Sequence, residues 1–558
     1  MEQNKQPKRK GSGMRVVWSL IITAVVGLVY FYVALPPINL HAEAFYGFVV
    51  LLALVYLACT MLFSGMGTSG TPQEIFGFIK RQGKFPAAVL IVLLVVFVVG
   101  SVISMPLLRA SAYRDLLTVE DGNFAEDVTE ISFDEIPLLD EDSAMYLAST
   151  QMGTLSDMVS QFEVSTYYNT QINYQGRPVR VVPLEYADLF KWLTNRSNGL
   201  PAYIVVDMVS QQVDVVRLPE GQGMHFSPSE PLNRNIMRHL RFQYPTFMFD
   251  TPTFEIDEEG NPWWVCPRLV KTIGLFGGTD IHGAVLVNAV TGESQYYASE
   301  DIPSWVDRVY LASLITAQYD YHGLYVNGFW NSIFGQKDVT RTTEGYNYIA
   351  INDDVYMYTG VTSVSSDQSN LGFLLCNQRT KETHFYRAPG ATEQAARRSA
   401  EGVVQDLGYR STFPLLLNIA GQPTYFMALK DDSQLVKQYA MVNVSQYSTV
   451  VSTAATVAQC EQEYLELLTS SGLADQEDLP VDTVSGAVAE VRSAVIDGNT
   501  WFYIRLEGGS VYYTISAADS SVAPLLKAGD QVTITFDQDA DPDSYQLPAR
   551  SLEARLTL

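Results

Sequence analysis

The side chains that most often carry chemistry are sparse in this 558-residue chain and poorly spaced for it. The six histidines, His41, His225, His239, His282, His322 and His384, form no HExxH, no HxH and no other close pair. No G-x-S-x-G or S-x-x-K motif accompanies them in the outer part. The best local arrangement is Tyr319-Asp320-Tyr321-His322. Alternation along a strand would put Asp320 and His322 on one face, where the carboxylate would orient an imidazole. A polar surface explains the pair more simply. The glycine-rich GLFGGTD, residues 274–280, offers backbone N–H groups to an anion. It lacks the lysine of a P-loop and precedes a strand, so it reads as a flexible turn between two hairpins. Trp263, Trp264, Trp305 and Trp330 would form a glycan or protein platform if exposed, whereas aromatic-rich strands usually supply core. The sequence therefore assigns no catalytic residue, no cofactor and no metal ligand, and it names no reaction.

Cysteine usage agrees with that reading. Of four cysteines, Cys59 lies in an apolar span, and Cys266, Cys376 and Cys460 are widely spread without CxxC or Cys/His spacing. They read as small buried thiols, with at most one bridged pair, and not as a disulfide framework or zinc site. The formal net charge is −25, and the acids fall almost wholly after residue 108. Such a field repels nucleic acid and anionic lipid and suits a solvated surface. Residues 113–142 are densest in acid, including Glu120, Asp121, Glu126, Asp127, Glu130, Asp134, Glu135, Asp140, Glu141 and Asp142. No calcium-loop pattern occurs there, so the stretch reads as a solvated stalk.

Three apolar runs precede the acidic bulk. Residues 85–108 carry no charge, and about 20 helical residues suffice to cross the hydrocarbon layer. Residues 16–35, stopped by Pro36 and Pro37, are too long for a signal-peptide core and read as a retained first helix. Residues 44–63 form the second span. Lys5, Lys8, Arg9, Lys10 and Arg15 flank the first span, and Lys80, Arg81 and Lys84 lie between the second and third. The PPINLHAE loop has neither Lys nor Arg, so the expected topology puts the amino terminus inside and the carboxyl terminus outside the plasma membrane. PQEIFGFIKRQGKF reads either as an interfacial amphipathic helix or as a plain connector.

Beyond the stalk the chain repeats itself. INYQGRPVRVVPL from Ile172, IDEEGNPWWVCPRL from Ile256, IAGQPTYFMAL from Ile419 and, more loosely, INDDVYMYTGV from Ile351 each read as a hairpin around a Gly, Asn or Asp turn. A second element follows: YIVVDMVSQQVDVVRL, AVLVNAVTGESQYY and GFLLCNQRTKETHFY, with Asp207, Asn288 and Asn377 in register, then Ser210, Thr291 and Thr380. AMVNVSQYSTVV from Ala440 is a degenerate fourth copy. Helical patterns follow at 302–317, 392–408 and 456–469, while EYADLFKWLTNR interrupts the first unit. Asp140 is placed to cap a helix to about Ser149, and Thr154 to start another to Phe162. Each unit should thus be a small antiparallel sheet with a helix over one face, packed as linked small domains.

The strand–turn–strand element resembles the PepSY-type repeats of bacterial extracytoplasmic proteins over residues 171–469. The whole chain is similar to Firmicute membrane proteins of loosely defined role, some labelled as a colicin V production (CvpA) family. That label implies a multi-span membrane protein, whereas this chain shows three spans and a large outer part. After the acidic linker LADQEDLPVDT come three strand patterns, a short helix at 517–526, the strand GDQVTITF and a closing SLEARLTL. This order resembles an OB-fold barrel. Trp501, Phe502, Tyr503, Tyr512 and Tyr513 would suit nucleic-acid stacking, but residues 482–558 hold eleven acids against five bases, which opposes phosphates.

The expectation is a membrane-anchored α+β protein. Its parts are a cytoplasmic tail (1–14), a three-helix transmembrane module (15–108), an acidic stalk (109–165), four repeat units (166–250, 251–340, 341–412 and 413–472), a linker (473–483) and an OB-like barrel (484–558). The expected role is non-enzymatic: an extracytoplasmic binding or scaffolding protein whose partners are the bilayer and another envelope protein, not nucleic acid. The alternatives are a membrane-anchored cell-wall hydrolase using distant acids and a component of export, the latter poorly served by such greasy spans.

Overall fold

The computed structural model describes residues 12–63, 73, 77, 83–128, 136–351, 354–364, 369–474, 481–496, 499–517, 520–537 and 545–555. Residues 1–11, the cations Lys80 and Arg81, most of PQEIFGFIKRQGKF, the acids Glu130, Asp134 and Glu135, the turn residues Asn352 and Asp353, and most of the linker lie outside the described residues. The chain divides into two compact units, residues 1–460 and residues 461–558.

Three helices are long and apolar enough to cross a membrane: α1 (Ser12–Ala34), α2 (Glu43–Phe63) and α3 (Lys84–Ile103). Most of their large apolar side chains face outward, as lipid-facing surface must. Tyr30 of α1 stacks on Phe48 of α2 at 5.7 Å, and Tyr46 of α2 meets Phe97 of α3 at 5.4 Å. Pro106 then starts α4 (Pro106–Arg114), as proline suits a helix's first turn.

The stretch read as a stalk is built into the fold instead. It supplies β1 (Glu120–Gly122), which pairs in parallel with residues His384 to Tyr386 of the third sheet, and α5 (Phe124–Asp127). Leu117, Phe124, Val128 and Ile136 are buried among its acids. Next comes α6 (Glu141–Thr154), capped by Asp140, whose side chain accepts from Ser143 N at 3.0 Å. No helix follows Thr154; a turn leads directly to the first sheet.

Four sheets with one wiring then follow. The first holds β2 (Phe162–Val164), β3 (Thr170–Tyr174), β4 (Arg177–Tyr186), β5 (Ala202–Asp207) and β6 (Val213–Arg217), with α7 (Leu189–Asn195) inserted after β4. After α8 (Ile236–Gln243), the second holds β7 (Met248–Phe249), β8 (Thr253–Ile256), β9 (Pro262–Ile273), β10 (Gly277–Asn288) and β11 (Ser294–Tyr297). After α9 (Ala312–Leu324), the third holds β12 (Thr340–Thr342), β13 (Asn347–Ile351), β14 (Asp354–Ser363), β15 (Ser369–Asn377) and β16 (Thr383–Ala391). After α10 (Glu393–Val403), the fourth holds β17 (Arg410–Ser411), β18 (Leu415–Ile419), β19 (Gln422–Lys430), β20 (Val436–Asn443) and β21 (Val451–Ala454). In each, two short strands pair along one edge of a long third strand, which continues as an antiparallel meander.

These sheets are not separate domains with private cores. One apolar cluster joins α6, the first sheet and Phe254, Trp264, Val285 and Val287 of the second; another joins the second sheet, α9 and Met357, Leu374 and Cys376 of the third. Phe373 of the third sheet meets Tyr425 of the fourth at 5.7 Å. The fourth returns to the first through Val436, which packs against the first cluster, and through Lys430 and Asp140. The four sheets therefore close a ring.

The ring is fastened to one end of the three helices. The β9–β10 turn, within a single hairpin and not between two, pushes Leu275 and Phe276 against α2 and α3. Phe276 lies 5.6 Å from Tyr46 and 5.1 Å from Phe97. Ser104 Oγ accepts from Leu275 N at 2.9 Å and from Phe276 N at 3.0 Å. Gly100 admits the turn, since a Cβ there would lie 2.5 Å from Leu275 Cδ2. Arg241 of α8 donates to Leu35 O at 2.9 Å, closing the end of α1. Arg15 and Lys84 are at the opposite helix ends.

The helix α11 (Val457–Ser470) begins in the first unit and ends in the second, which holds a closed barrel of five strands: β22 (Val481–Ile496), β23 (Asn499–Leu506), β24 (Tyr512–Ser516), β25 (Gln531–Asp537) and β26 (Gln546–Arg555), in the order β22-β23-β24-β26-β25. The long β22 pairs with β25 through its first half and β23 through its second, which closes the barrel over Val488, Ile504, Val532 and Ile534.

Candidate functional site

The residues singled out in the sequence do not assemble. Tyr319 to His322 lie on helix α9, not on a strand, so Asp320 and His322 point apart. His322 Nδ1 meets Arg114 O at 3.1 Å, while Asp320 Oδ1 accepts from Thr342 N at 2.8 Å and Thr342 Oγ1 at 3.0 Å. His41 meets Leu275 O, His239 meets Gly292 O, and His384 meets Glu382 Oε1. Trp264 is buried, with its indole N–H on Phe226 O at 2.8 Å, and Trp263 pairs with Trp305 at 5.7 Å. Only Trp330 is strongly exposed among the four, so they form no platform. Cys266, Cys376 and Cys460 are buried and in no disulfide, and burial pushes the Cys376 thiol up to about 12. Among the described residues no cluster of three or more His, Cys, Asp or Glu has metal-ligating geometry.

The repeat's in-register polar residues prove to be turn closers. Asp207 Oδ1 accepts from Val209 N and Ser210 N, Asn288 Oδ1 from Val290 N and Thr291 N, Asn377 Oδ1 from Arg379 N and Thr380 N, and Asn443 Oδ1 from Ser445 N and Gln446 N. These are Asx turns between the last two strands of each sheet, a structural use of a polar motif.

One cavity does gather groups that could do chemistry. It measures about 460 Å3 and is lined by Asp320 of α9, Arg341 and Thr342 of β12, Thr343, Glu344, Thr362 of β14, and Thr392, Glu393 and Gln394 at the start of α10. Thr392 caps α10, its hydroxyl accepting from Ala395 N at 3.3 Å. Burial raises the pKa of Asp320, an effect its two bonds from Thr342 oppose without cancelling. Glu393 is fully buried, and burial raises its pKa too, against opposing bonds from Thr343, Gly360 and Asn370. Two carboxyl groups held toward their protonated forms, four threonine hydroxyls and a guanidinium suit a ligand dense in hydroxyls or amides. Sequence spacing gives no hint of this set, because the third sheet alone brings α9 and the start of α10 together.

A second polar cluster lies where the sheets meet and is framework. Glu255 Oε2 accepts from Asp307 N at 2.8 Å and Oε1 from Arg308 N at 3.1 Å, while Asp307 Oδ2 accepts from Asn173 N at 2.6 Å. The Arg308 guanidinium lies 3.9 Å above the Tyr348 ring, and the buried Arg180 reaches Asn169 and Gln171. Burial lifts Glu255 to about 7. In the barrel, Arg492 and Arg505, the cations beside Tyr512, are both engaged by Glu490, at 2.8 and 3.4 Å.

No protein-family model and no curated protein sequence matches the chain. Solved structures with some likeness include levansucrase of B. megaterium, 11% identical, covering 78% of this chain and 96% of that chain at a TM-score of 0.19. Levansucrase of Bacillus subtilis is 10% identical over 77% of this chain and 96% of that one, TM-score 0.15. An exo-beta-1,3-galactanase of Phanerochaete chrysosporium is 11% identical over 71% and 100%, TM-score 0.17. Likeness this loose carries no argument about fold or activity.

Proposed function

We propose that the protein is a membrane-anchored binding or scaffolding protein of the bacterial cell envelope. Three helices hold a rigid four-sheet ring outside the plasma membrane, and the Asp320–Glu393 cavity receives a polar partner. The observation that carries the reading is the attachment of the ring to the helix ends opposite Arg15 and Lys84, through Ser104, His41 and Arg241. Positive residues stay inside, so the ring lies outside. The sheets are read as PepSY-like and the barrel as OB-like, a protein-binding module whose acidic surface excludes nucleic acid.

The test has two arms. Cysteines placed at Ser445 in the ring and at Gly509 in the barrel should react with a membrane-impermeant maleimide in intact cells, and shielding of both overturns the orientation. A photo-crosslinker at Gln394 should then join the cavity to an envelope protein or glycan; absence of any adduct in cells counts against binding there.

The hydrolase reading draws on one specific observation, the two carboxyl groups of raised pKa in one cavity. Paired acids are what glycosidic hydrolysis uses. Release of reducing ends from cell-wall glycan, lost in both Asp320→Asn and Glu393→Gln, would favour it over the binding reading.

A further inference from the structure

The chain is strongly acidic, with a formal net charge of −25, yet α8 carries two arginines, Arg238 and Arg241, that form no ion pair with a carboxylate among the described residues, and Arg234 stands in the turn before it. Arg234 donates to Arg196 O at 3.0 Å and lies 3.0 Å from His225 Nδ1. Arg238 donates to Tyr32 O, Pro231 O and Leu232 O, and its guanidinium lies 4.3 Å from the centre of the Tyr32 ring. Arg241 is buried and bonds only carbonyls. Arg234 also acts on the nearby Glu230 carboxylate, whereas Arg238 forms no ion pair among the described residues and borders a cavity.

Tyr32 is on the last turn of α1, so α8 lies at the level where the hydrocarbon ends. Between them is a cavity of about 700 Å3 lined by Tyr32, Asn233, Arg238, His239, Phe242 and Gln243. The Phe242 ring is 56% exposed and lies 6.1 Å from the Tyr32 ring and 5.5 Å from Phe31. Towards the membrane the apolar wall continues into the outward-facing Leu28, Val29 and Val33 of α1. A polar, cationic mouth above an apolar face that enters lipid has the form of a lipid headgroup and its chains.

We propose that this cavity seats the phosphodiester headgroup of an anionic phospholipid from the leaflet nearest the ring, with its acyl chains along the exposed face of α1. The Arg238 guanidinium, in the cavity wall, supplies fork-shaped donors that match phosphate oxygens. Tyr32 and Phe242 supply the aromatic level that favours the membrane boundary. An arginine near an anionic surface adds electrostatic attraction to it. The bound lipid then ties α8, and through it the ring, to the end of α1.

The full-length protein in non-ionic detergent is titrated with dioleoylphosphatidylglycerol, dioleoylphosphatidylcholine or glycerol phosphate, and bound lipid is read by native mass spectrometry. One phosphatidylglycerol should be retained at a concentration at least about tenfold below that for phosphatidylcholine, and glycerol phosphate should not displace it. Asn233→Asp keeps the oxygen that accepts from Tyr32 Oη and adds a carboxylate at the mouth; Gln243→Glu adds another. Each should weaken phosphatidylglycerol about tenfold and leave phosphatidylcholine unchanged. Equal retention of the two lipids, displacement by glycerol phosphate, or indifference to both variants would overturn the proposal. A photoreactive phosphatidylglycerol should label wild-type protein near Tyr32 and Phe242, and labelling confined to other segments overturns it even if both variants misfold.

Discussion

Lys430 Nζ lies 2.7 Å from Asp140 Oδ2, so a cation at the end of β19 meets the carboxylate that caps α6, 290 residues earlier in the chain. The contact joins the fourth sheet to the helix packed on the first and so completes the ring. Burial raises the Asp140 pKa, but Lys430 and Ser143 more than reverse this, leaving it below 3.8. Asp140→Asn preserves the cap while leaving Lys430 without its charge partner. It should cost the ring about 3 kcal/mol at neutral pH, read by hydrogen exchange across β19 and β20. Because the folded pKa is the lower one, that stabilisation is full above the unfolded pKa and disappears as pH falls through the folded one. Wild type and variant should therefore converge in acid, and a gap that persists there contradicts the ion pair.

Glu255 gives the opposite slope. Its pKa rises from 4.5 to about 7 because the carboxyl is fully buried. The folded state then holds a proton that the unfolded state has released, so stability falls as pH climbs from about 4.5 to about 7, by up to about 3 kcal/mol. Glu255→Gln should flatten that part of the profile in thermal melts between those limits. An unchanged slope would locate the titration elsewhere.

Ser104→Ala removes the one side-chain oxygen that serves both Leu275 N and Phe276 N. Stranding two partly buried donors should cost about 1–3 kcal/mol and loosen the β9–β10 turn from α3. Protease cleavage near Leu275 in detergent should quicken, with β20 and β21 unaffected. Uniform loosening of all four sheets would mean the turn is not a local clasp.

The turn between the last two strands of each sheet allows a test with opposite signs. Gln211, Gly292 and Lys381 occupy one register position with φ of 62°, 75° and 68°. Gln211 is exposed in a region that costs an L side chain about 1 kcal/mol, so Gln211→Gly should raise the melting temperature slightly. Gly292→Ala should lower it by more than that gain, because the new Cβ would sit 2.3 Å from the Phe226 ring. Shifts of like sign would refute the shared turn geometry.

What could be read in the sequence was local. Asp207, Asn288 and Asn377 announced themselves because an Asx turn needs only its own next three residues, and the short hairpins around Gly176 and Gly421 did so for the same reason. The three apolar spans needed only length and composition. Long-range pairing was not legible. Nothing near Asp140 foretells Lys430, nor anything near Asp320 foretells Glu393. The acid density of residues 113–142 hid Leu117, Phe124 and Val128, whose burial turns the stretch into an edge strand and a strap. The apolar run after Ile302 suggested an early helix, but Pro303 and the burial of Val306, Asp307 and Val309 keep the chain non-helical until Ala312.

The arrangement of the three spans has one more consequence. α2 packs against both α1 and α3, and among the described residues every span turns most of its flank outward. A signal crossing the bilayer in one molecule would have to travel as a tilt or twist of the helices, levered by the Leu275–Phe276 wedge between their tips.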